Sequence, residues 1–474
     1  AAVDQLLSSQ AMAFDAWQTG VKSRGRSSCC KTCGGPVLEW DSHLQGHLGE
    51  HGRGLESLKW LGKDTAEPIR YGSNFVDGRV YVATFRRSDG SDISISGGEG
   101  VIVDEKGCWL YLPSGNLWAN LLGSLQVLEV WRGPQSPHAD QPQHRWHDHG
   151  RGKFPNHGSV AKARPVDTVA TAVQFAASSH FHFMTEVLAK VVAFRQAGIL
   201  DDPNVKLLLP KVPGLGGKDG RDEKAMTIAA DALEILVGDM IDQGRVIWLR
   251  TDGPPDIRLR AKTVYYADWK LPSEKPFNDG GHCPTPRFLL TLVRSSLIGV
   301  IHHHEKEHTE KDVSLAQAEG HVARPACIFL TRRGLTMRGV LKDEAKLEKS
   351  VKESAEAAGL EFIVFSGGKK RLPEQVELFQ RAVAVVGVHG GAFTNMLFMK
   401  LGATVIELGF ATPLAGHYRH LAAALDLRHI SIWLLADQRG MGANEVEIEG
   451  GWKKAADAVH AALVANSTIA NDEL

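Results

Sequence analysis

Apolar and polar positions follow two different periods along this chain. Between residues 79 and 131, apolar residues alternate with polar ones, as at Val80, Val82 and Phe85, and this period of two predicts β-hairpins. From about residue 165 onward, short apolar runs alternate with segments of helical spacing, which predicts strands and helices in turn. Such an alternation is typical of an α/β fold with parallel sheets.

The predicted strands fall into two groups, and each group suits one doubly wound domain. The first group is Asp167–Phe175, Lys206–Pro210, Val246–Leu249 and Thr263–Ala267, and the second is Ala326–Leu330, Glu361–Phe365, Ala384–Val388, Thr404–Leu408 and His429–Trp433. A chain of 474 residues also suits two domains better than one core. We therefore expect a partly irregular, β-rich N-terminal extension over residues 1–155, α/β domains over 156–310 and 311–450, and a C-terminal helix and tail over 451–474.

The stretch Ala382–Phe410 is the most regular part of the second group. Ala384–Val388 predicts a strand buried on both faces, His389–Gly391 a tight turn, Asn395–Lys400 the first turns of a helix, and Thr404–Leu408 a second strand. Together they predict a right-handed βαβ unit. Its turn lies at the carboxyl end of a strand and at a helix N-terminus, where unpaired N–H groups favour an anion such as a diphosphate.

The same stretch carries a family resemblance. HGGAFTN at 389–395, followed by FMKLGATVIEL at 398–408, resembles the HGAGLTN…ATVIEL signature of glycosyltransferase family 61. HFHFMTEVL at 180–188 and TRR…DE at 331–344 resemble two further blocks of that family, in the same order. Gly391 and Ala392 are swapped relative to the usual Ala-Gly, Phe393 replaces Leu, and Asp343 stands where Asn is usual. The resemblance covers about residues 165–435.

This resemblance implies a fold and an activity. The fold is GT-B, with two Rossmann-like doubly wound domains facing a cleft, here preceded by the extension that contains β-hairpins. The activity is an inverting transfer of xylose, N-acetylglucosamine or arabinose from a UDP-sugar to a hydroxyl of a glycoprotein glycan or a polysaccharide. The implied location is the Golgi or endoplasmic reticulum lumen in a eukaryote, or the cytoplasm in a bacterium.

A departing diphosphate needs cations and N–H donors to hold it. Three arginines follow the strand Ala326–Leu330, again at the carboxyl end of a strand, and guanidinium groups pair with phosphate in bidentate fashion. Glu407, at the end of the predicted strand Thr404–Leu408, could accept hydrogen bonds from a ribose hydroxyl. The candidate nucleotide-sugar-binding residues are Arg332, Arg333, Arg338, His389, Gly390, Gly391, Thr394, Asn395 and Glu407. Glu374 and Gln375 resemble a family pair, but they suit the first turn of a helix equally well.

The acceptor hydroxyl needs a general base, which we expect from the first α/β domain. His182 is the candidate base and Glu186, four residues later on the same predicted helix, is its orienting partner. An imidazole titrates near the working pH, and a carboxylate in a cleft can do so as well. His180 and Asp167 are alternatives.

We expect neither a cofactor nor a metal ion. The chain lacks the Asp-x-Asp pair that metal-dependent transferases commonly use, and Asp201-Asp202 is a weak substitute. The histidine-rich stretches His144–Gly150 and Ile301–His308 read as surface loops rather than metal sites. The cluster Cys29, Cys30 and Cys33 lacks a second pair at zinc-site spacing, so disulfides or free thiols suit it better.

The charge balance narrows the class of partner. There are 54 Lys and Arg residues against 55 Asp and Glu residues, which gives no electrostatic footprint for nucleic acid. No run approaches the ~20 apolar residues of a membrane span. The expected partners are a nucleotide-sugar donor and a glycan or glycoprotein acceptor, with membrane attachment only through an N-terminal anchor outside this chain.

Two other functions suit the same scaffold. One is a nucleotide-sugar epimerase or hydrolase, which would act without an acceptor. The other is a non-catalytic glycan- or nucleotide-binding protein, which would bind UDP without transferring a sugar. The arginines, the turn at His389 and the candidate base favour the transferase.

Overall fold

The computed structural model describes residues 69–72, 80–86, 92–104, 108–111, 117–120, 163–173, 179–211, 228–249, 258–270, 285–299, 301, 324–333, 340–366, 370–410, 416–435, 445–448 and 450–472. These residues form two compact units that divide between Ser296 and Leu297. The predicted domain boundaries after residues 155 and 310 lie outside the described residues.

The first unit is built on a nine-stranded sheet with the order β1-β2-β3-β9-β6-β7-β8, in which β4 pairs with β3 and β5 pairs with β4. The strands are β1 (Ile69–Gly72), β2 (Val80–Arg86), β3 (Asp92–Asp104), β4 (Cys108–Tyr111), β5 (Leu117–Asn120), β6 (Arg164–Thr171), β7 (Val205–Pro210), β8 (Val246–Leu249) and β9 (Arg258–Lys270). Strands β9, β6, β7 and β8 run parallel, whereas β1 to β5 join the sheet through antiparallel pairs.

In the described part of the chain, three helices accompany this sheet. The first, α1, is α-helical over His180–His182 and Leu188–Gln196 and π-helical over Phe183–Val187. The others are α2 (Ile228–Asp242) and α3, over residues 287–299. Val169, Leu208 and Val264 belong to one buried cluster on β6, β7 and β9, so the apolar runs that predicted strands form the core of this unit.

The second unit is built on a seven-stranded sheet with the order β11-β16-β15-β14-β13-β10-β12. Its strands are β10 (Ala326–Leu330), β11 (Val340–Leu341), β12 (Glu361–Phe365), β13 (Ala382–Val388), β14 (Thr404–Phe410), β15 (Arg428–Leu435) and β16 (Glu445–Ile448). Only the pair β15–β16 is antiparallel. The helices are α4 (Glu344–Ala357), α5 (Leu372–Gln380), a 3₁₀ helix (Gly391–Phe398), α6 (Gly416–Ala424) and α7 (Gly451–Asp472).

Helices cover both faces of this second sheet. On one face, alternate residues of the central strands, such as Val386, Ile406 and Ile430, join one apolar core with Val351 of α4 and Val459 of α7. On the other face, the 3₁₀ helix contacts both α5 and α6, and α6 contacts β15. Both units are therefore mixed α/β and compatible with a Rossmann-like fold.

The order of the second sheet marks one place for a ligand. The chain passes from β10 outward to β12 and then returns to β13 on the other side of β10. In open α/β sheets this reversal leaves a crevice at the carboxyl ends of the two strands, where ligands bind. Here those ends are Leu330 on β10 and Val388 on β13, immediately before Thr331 and His389.

Two local expectations were wrong. Asn395–Lys400 was expected to form the first turns of a helix, but the helix after β13 is a 3₁₀ helix that begins at Gly391 and ends at Phe398. Its first turn closes by a bond from the N–H of Phe393 to the carbonyl of Gly390, at 3.0 Å, which is the i to i+3 pattern. Glu407 was expected at the end of its strand, yet β14 continues to Phe410.

Among the helices that the structure describes, none combines the length and the apolar character that a bilayer span requires.

The close approach of β10 and β13 predicts a cost for any side chain at Gly387. A Cβ there would lie 2.6 Å from Cβ of Leu330 and 2.9 Å from its carbonyl oxygen. We expect Gly387→Ala to lower the free energy of unfolding by roughly 1–3 kcal/mol, since the backbone of β10 must shift. Urea titration followed by tryptophan fluorescence measures this. The control is Gly299→Ala, where a Cβ meets nothing within 4 Å, and equal midpoints for the two variants would contradict the prediction.

Candidate functional site

The turn after β13 is held by an arginine that lies two residues beyond the end of β10. Nη1 of Arg332 donates a hydrogen bond to the carbonyl oxygen of His389 at 3.0 Å, and Arg332 is buried. The neighbouring Gly390 has an extended backbone, with φ 173°, so its conformation does not require glycine. A side chain here would instead meet the arginine: a Cβ at Gly390 would lie 2.6 Å from Nη1 of Arg332, so the end of the arginine would have to move. The glycine therefore lets the guanidinium reach the carboxyl end of β13.

The three predicted arginines differ in their surroundings. Arg333 is exposed and pairs with Glu348 of α4, its Nε lies 3.6 Å from Glu344, and it also donates to Oγ1 of Thr331 at 3.2 Å. Arg338 lies outside the described residues. Of the arginines that the structure describes, Arg332 is the one at the turn, and Arg333 ties the end of β10 to α4.

A buried carboxylate joins two histidines beside the turn. Nδ1 of His389 lies 2.5 Å from Oε1 of Glu407, and Nε2 of His429 lies 2.8 Å from Oε2 of the same carboxylate. Glu407 is 1% exposed. Because Gly387 pairs with Glu407 and Glu407 pairs with Ser431 across the strands, all three side chains lie on the sheet face opposite the α4 and α7 core.

These partners determine the charge of Glu407. Burial on its own raises the pKa of this carboxyl, but the hydrogen bonds and charges of His389 and His429 lower it to about 2. Glu407 therefore stays ionised at neutral pH. Both of its oxygens are already engaged by imidazole nitrogens, so this geometry favours a supporting part for Glu407 over the predicted contact with ribose.

The end of the HGGAFTN motif is fixed by α5. Nδ2 of Asn395 donates to Oε1 of Gln375 at 2.7 Å, and Gln375 in turn donates to the carbonyl of Lys370 at 2.8 Å. Within the described residues, neither Oδ1 of Asn395 nor Oγ1 of Thr394 has a hydrogen-bond partner, although both atoms are buried. Glu374 plays a local role, since it accepts from the backbone N–H of Arg371 at the start of α5.

A second carboxylate lies at the end of β10. Glu344, the first residue of α4, is buried and accepts a hydrogen bond from Oγ1 of Thr331 through Oε1. Its Oε2 is also buried and has no hydrogen-bond partner within the described part of the chain. Among the described residues, two of the buried polar atoms without a hydrogen-bond partner thus lie at the turn and one lies at the start of α4, while others, such as Oγ1 of Thr171 in the first unit, lie away from this site.

In the first unit, the predicted dyad is present on α1. Nδ1 of His182 lies 3.1 Å from Oε2 of Glu186, and both residues are buried. The π-helical turn Phe183–Val187 contains Glu186, and π-bulges occur frequently at functional sites. The carbonyl of Thr185 in this turn accepts a hydrogen bond from Oγ1 of Thr285 at 2.8 Å.

The two alternatives for the base lie elsewhere. Asp167 has an exposed side chain in an ion pair with Lys262 at 2.6 Å, and the hydrogen bond and charge of Lys262 lower the pKa of Asp167. A carboxylate held ionised by an exposed lysine is a poor proton acceptor near neutral pH. His180 begins α1, two residues before His182.

Two residues of interest were not predicted. His429 emerges only through the pairing of β14 with β15, although the alternation of His429 and Ser431 with Ile430 and Ile432 already indicates one polar and one apolar face. Lys190 is buried on α1, where Nζ donates to the carbonyl of Val173 at 3.1 Å and lies 5.1 Å from the ring centroid of Tyr266.

The histidine-rich and cysteine-rich stretches noted in the sequence lie outside the described residues, apart from Ile301. They are His144–Gly150, residues 302–308 and the Cys29–Cys33 cluster. Cys327 is a free, buried cysteine in β10, and burial raises the pKa of its thiol to about 12. Across the residues that the structure does describe, no three His, Cys, Asp or Glu side chains gather as a metal site would require.

Comparison with known proteins adds a family assignment. The family model described as Glycosyltransferase 61 matches residues 180–406. This range begins with the HFHFMTEVL stretch, contains the arginine block and HGGAFTN, and ends at Ile406, two residues before the end of the third block. A comparison with curated proteins gives no match.

The charge state of Glu407 predicts a dependence of stability on acid. Its folded pKa of about 2 lies below the ordinary value of 4.5, so its stabilising contribution is present above pH 4.5 and is lost as the pH falls toward 2. The full loss is on the order of 3 kcal/mol. We expect Glu407→Gln to flatten the pH dependence of the unfolding free energy in this window. The control is Glu447→Gln, which changes an exposed carboxylate on β16 and should leave this slope as in wild type. Equal slopes for wild type, Glu407→Gln and Glu447→Gln would refute the low pKa of Glu407.

Proposed function

Residues 180–406 belong to glycosyltransferase family 61, and from this we propose that the chain is an inverting, UDP-sugar-dependent glycosyltransferase of the GT-B class. The donor carries xylose, N-acetylglucosamine or arabinose, and the acceptor is a hydroxyl of a glycoprotein glycan or a polysaccharide. Glycosyltransferase activity in general follows from the family. The observation that supports the donor site is the buried guanidinium of Arg332 against the glycine turn at the switch point of the second sheet.

The arginine and the turn suit a diphosphate. Arg332 is fixed at the carboxyl end of β13 by its bond to the carbonyl of His389, and a guanidinium keeps its charge at any working pH. A cation that is already positioned stabilises the negative charge that develops on the leaving group without reorganisation. A ligand diphosphate at this end of the sheet would also follow the rule for open α/β sheets.

The buried polar atoms without partners support a polar ligand. A buried hydroxyl or carbonyl left without a hydrogen bond costs about 1–3 kcal/mol, so such atoms are uncommon unless a ligand or water meets them. Oδ1 of Asn395 and Oε2 of Glu344 accept only, which suits hydroxyl or N–H groups of a nucleotide sugar. Oγ1 of Thr394 can also donate, which suits a phosphate or carbonyl oxygen.

The transfer itself needs a base for the acceptor. The acceptor oxygen forms a bond to the anomeric carbon while the bond from that carbon to the β-phosphate oxygen breaks, and its electron pair leaves with UDP. We propose that His182 is the general base and that its Nε2 takes the proton of the acceptor hydroxyl. The carboxylate of Glu186 accepts from Nδ1–H, so a neutral His182 ring carries its lone pair on Nε2, and the same carboxylate stabilises the imidazolium that forms.

Three further properties belong to this proposal. A divalent metal ion is dispensable, because arginine supplies the positive charge at the leaving group. The partners are the donor and the glycan acceptor, without nucleic acid. The protein works in the secretory pathway if its source is eukaryotic. Activity that is lost in a chelator and restored by manganese would overturn the first of these.

The donor site predicts a binding panel. We expect UDP to bind the wild-type protein in isothermal titration, and Arg332→Lys to bind it at least about tenfold more weakly, because an ammonium group cannot pair bidentately with phosphate. Gly390→Ala should show a similar loss, since its Cβ would displace the guanidinium. UDP-, GDP- and CMP-sugars compared by thermal shift identify the donor class.

Matched controls distinguish a local effect from a general one. Arg381→Lys changes an arginine at the start of β13, the opposite edge of the sheet, where it pairs with Glu361 at 2.9 Å. Gly299→Ala adds a methyl group in open space. Both controls should bind UDP like wild type. If no nucleotide stabilises the wild-type protein, the proposed function fails.

The base predicts a separation of binding from turnover. His182→Asn and Glu186→Gln should bind UDP within about threefold of wild type but lose roughly 10²–10⁴-fold in transfer rate, the usual share of general base catalysis. Product analysis by mass spectrometry, with and without acceptor, measures the transfer. Free sugar without acceptor would indicate a hydrolase, an isomerised donor an epimerase, and UDP binding without any product a non-catalytic protein. Full activity in both variants would remove the assignment of the base.

A further inference from the structure

We infer that Glu407 and His429 are positioning residues for His389: they hold its ring and tautomer so that Nε2 is the atom presented at the donor site. The role of that atom toward a nucleotide rests on the proposed function. The arrangement of the three side chains does not, because it is a property of the protein alone. Glu407 thereby acts through His389 instead of touching the ribose.

The tautomer follows from the contacts of the carboxylate. An ionised carboxylate accepts hydrogen bonds and donates none. Oε1 of Glu407 lies 2.5 Å from Nδ1 of His389, so the proton of a neutral His389 ring sits on Nδ1 and the lone pair on Nε2. The same rule puts the proton of His429 on Nε2, which lies 2.8 Å from Oε2. Each oxygen of Glu407 is thus committed to one imidazole.

The surroundings of His389 fix the plane of its ring as well. The ring of Tyr418 from α6 lies edge-on to it, with 5.0 Å between the centroids, and Phe393 packs on Tyr418 at 5.4 Å. Arg332, which follows β10, donates a hydrogen bond to the carbonyl oxygen of His389. Among the described residues, the charged and titratable groups placed against His389 are Glu407, Arg332 and Tyr418, and His429 contacts the other oxygen of Glu407.

The free energy needed to bury the carboxylate of Glu407 argues against a purely structural role for this residue. Taking a carboxylate out of water costs several kcal/mol, and replacing a buried ion pair by apolar residues of similar volume is often neutral or stabilising. Glu407 lies in a central strand between Ile406 and Leu408, where a third apolar residue would suit the sheet. A carboxylate bonded to the histidine of the turn instead gives that histidine one defined orientation, as in other sites where a second residue orients a functional imidazole.

His429 has a distinct task in this arrangement. Without it, Oε2 of Glu407 would be a buried charged oxygen that lacks its donor, and the carboxylate would be free to rotate away from His389. A glutamine at position 429 can still donate an N–H to Oε2, whereas a leucine of comparable size cannot. The pair His429→Gln and His429→Leu therefore separates the hydrogen bond from simple packing.

The tautomer can be read without any ligand. In protein with ¹⁵N-labelled histidine, long-range ¹⁵N–¹H spectra should show His389 protonated at Nδ1 and unprotonated at Nε2 once the ring is neutral. We expect the same signature in His429→Gln, and a shift toward a mixture or the opposite tautomer in Glu407→Gln and His429→Leu. The signals are assigned with a His389→Gln variant. An Nε2–H tautomer in the wild-type protein would overturn the inference.

UDP affinity provides the second readout. We expect His429→Leu to weaken UDP binding about tenfold and His429→Gln to remain within about threefold of wild type, with the same order at each pH between 6 and 8. Equal affinities of the two variants would show that Glu407 does not act through this bond. His460→Leu, an exposed histidine on α7, is the control. If wild type shows the Nδ1–H tautomer but no nucleotide binds, the proposed function fails while the positioning arrangement stands.

Discussion

The second unit depends on how closely β10 and β13 approach at their carboxyl ends. Gly387 lets the backbones meet beside Leu330, and Gly390 lets the guanidinium of Arg332 reach the carbonyl of His389. A methyl group at either position would occupy space that these contacts already fill. The parallel pairing thus does two things at once, because the same approach that orders the sheet also places a buried cation where the strand order reverses.

One face of this sheet is apolar and packs against helices, whereas the other carries polar side chains of the candidate site. Val386, Ile406 and Ile430 point into the core with α4 and α7, where burial of each side chain contributes roughly 1.5–3 kcal/mol. The opposite face of the same strands carries Glu407, which is buried as deeply, and the partly buried His429, and neither contributes much through apolar area. One face stabilises the fold, and this stability offsets the desolvation of a charge on the other.

The sequence predicted most of the strands of this sheet, but few of the contacts that the candidate site residues make with one another. The β-branched runs of β10, β13 and β14 are short, apolar and bounded by turn residues, so a strand is the one element that fits them. The 3₁₀ helix was missed because its bonds depend on how Phe393 and its neighbours pack, which no period reveals. In the same way, the choice between Arg332 and Arg333 depends on Glu348, fifteen residues away from Arg333 along the chain, and only tertiary structure brings them together.

The two histidine–carboxylate pairs illustrate why one was predictable and the other was not. His182 and Glu186 are four residues apart on one helix, so helical geometry alone places them side by side. His389 and Glu407 lie on adjacent strands, and His429 joins them from a third, so their contact depends on the register of two parallel pairings. In both pairs a carboxylate engages Nδ1, so a neutral ring carries its lone pair on Nε2. The turn at His389 is in addition held by a buried arginine, and this contact is the basis on which the proposed function assigns His389 to the anionic leaving group and His182 to the acceptor.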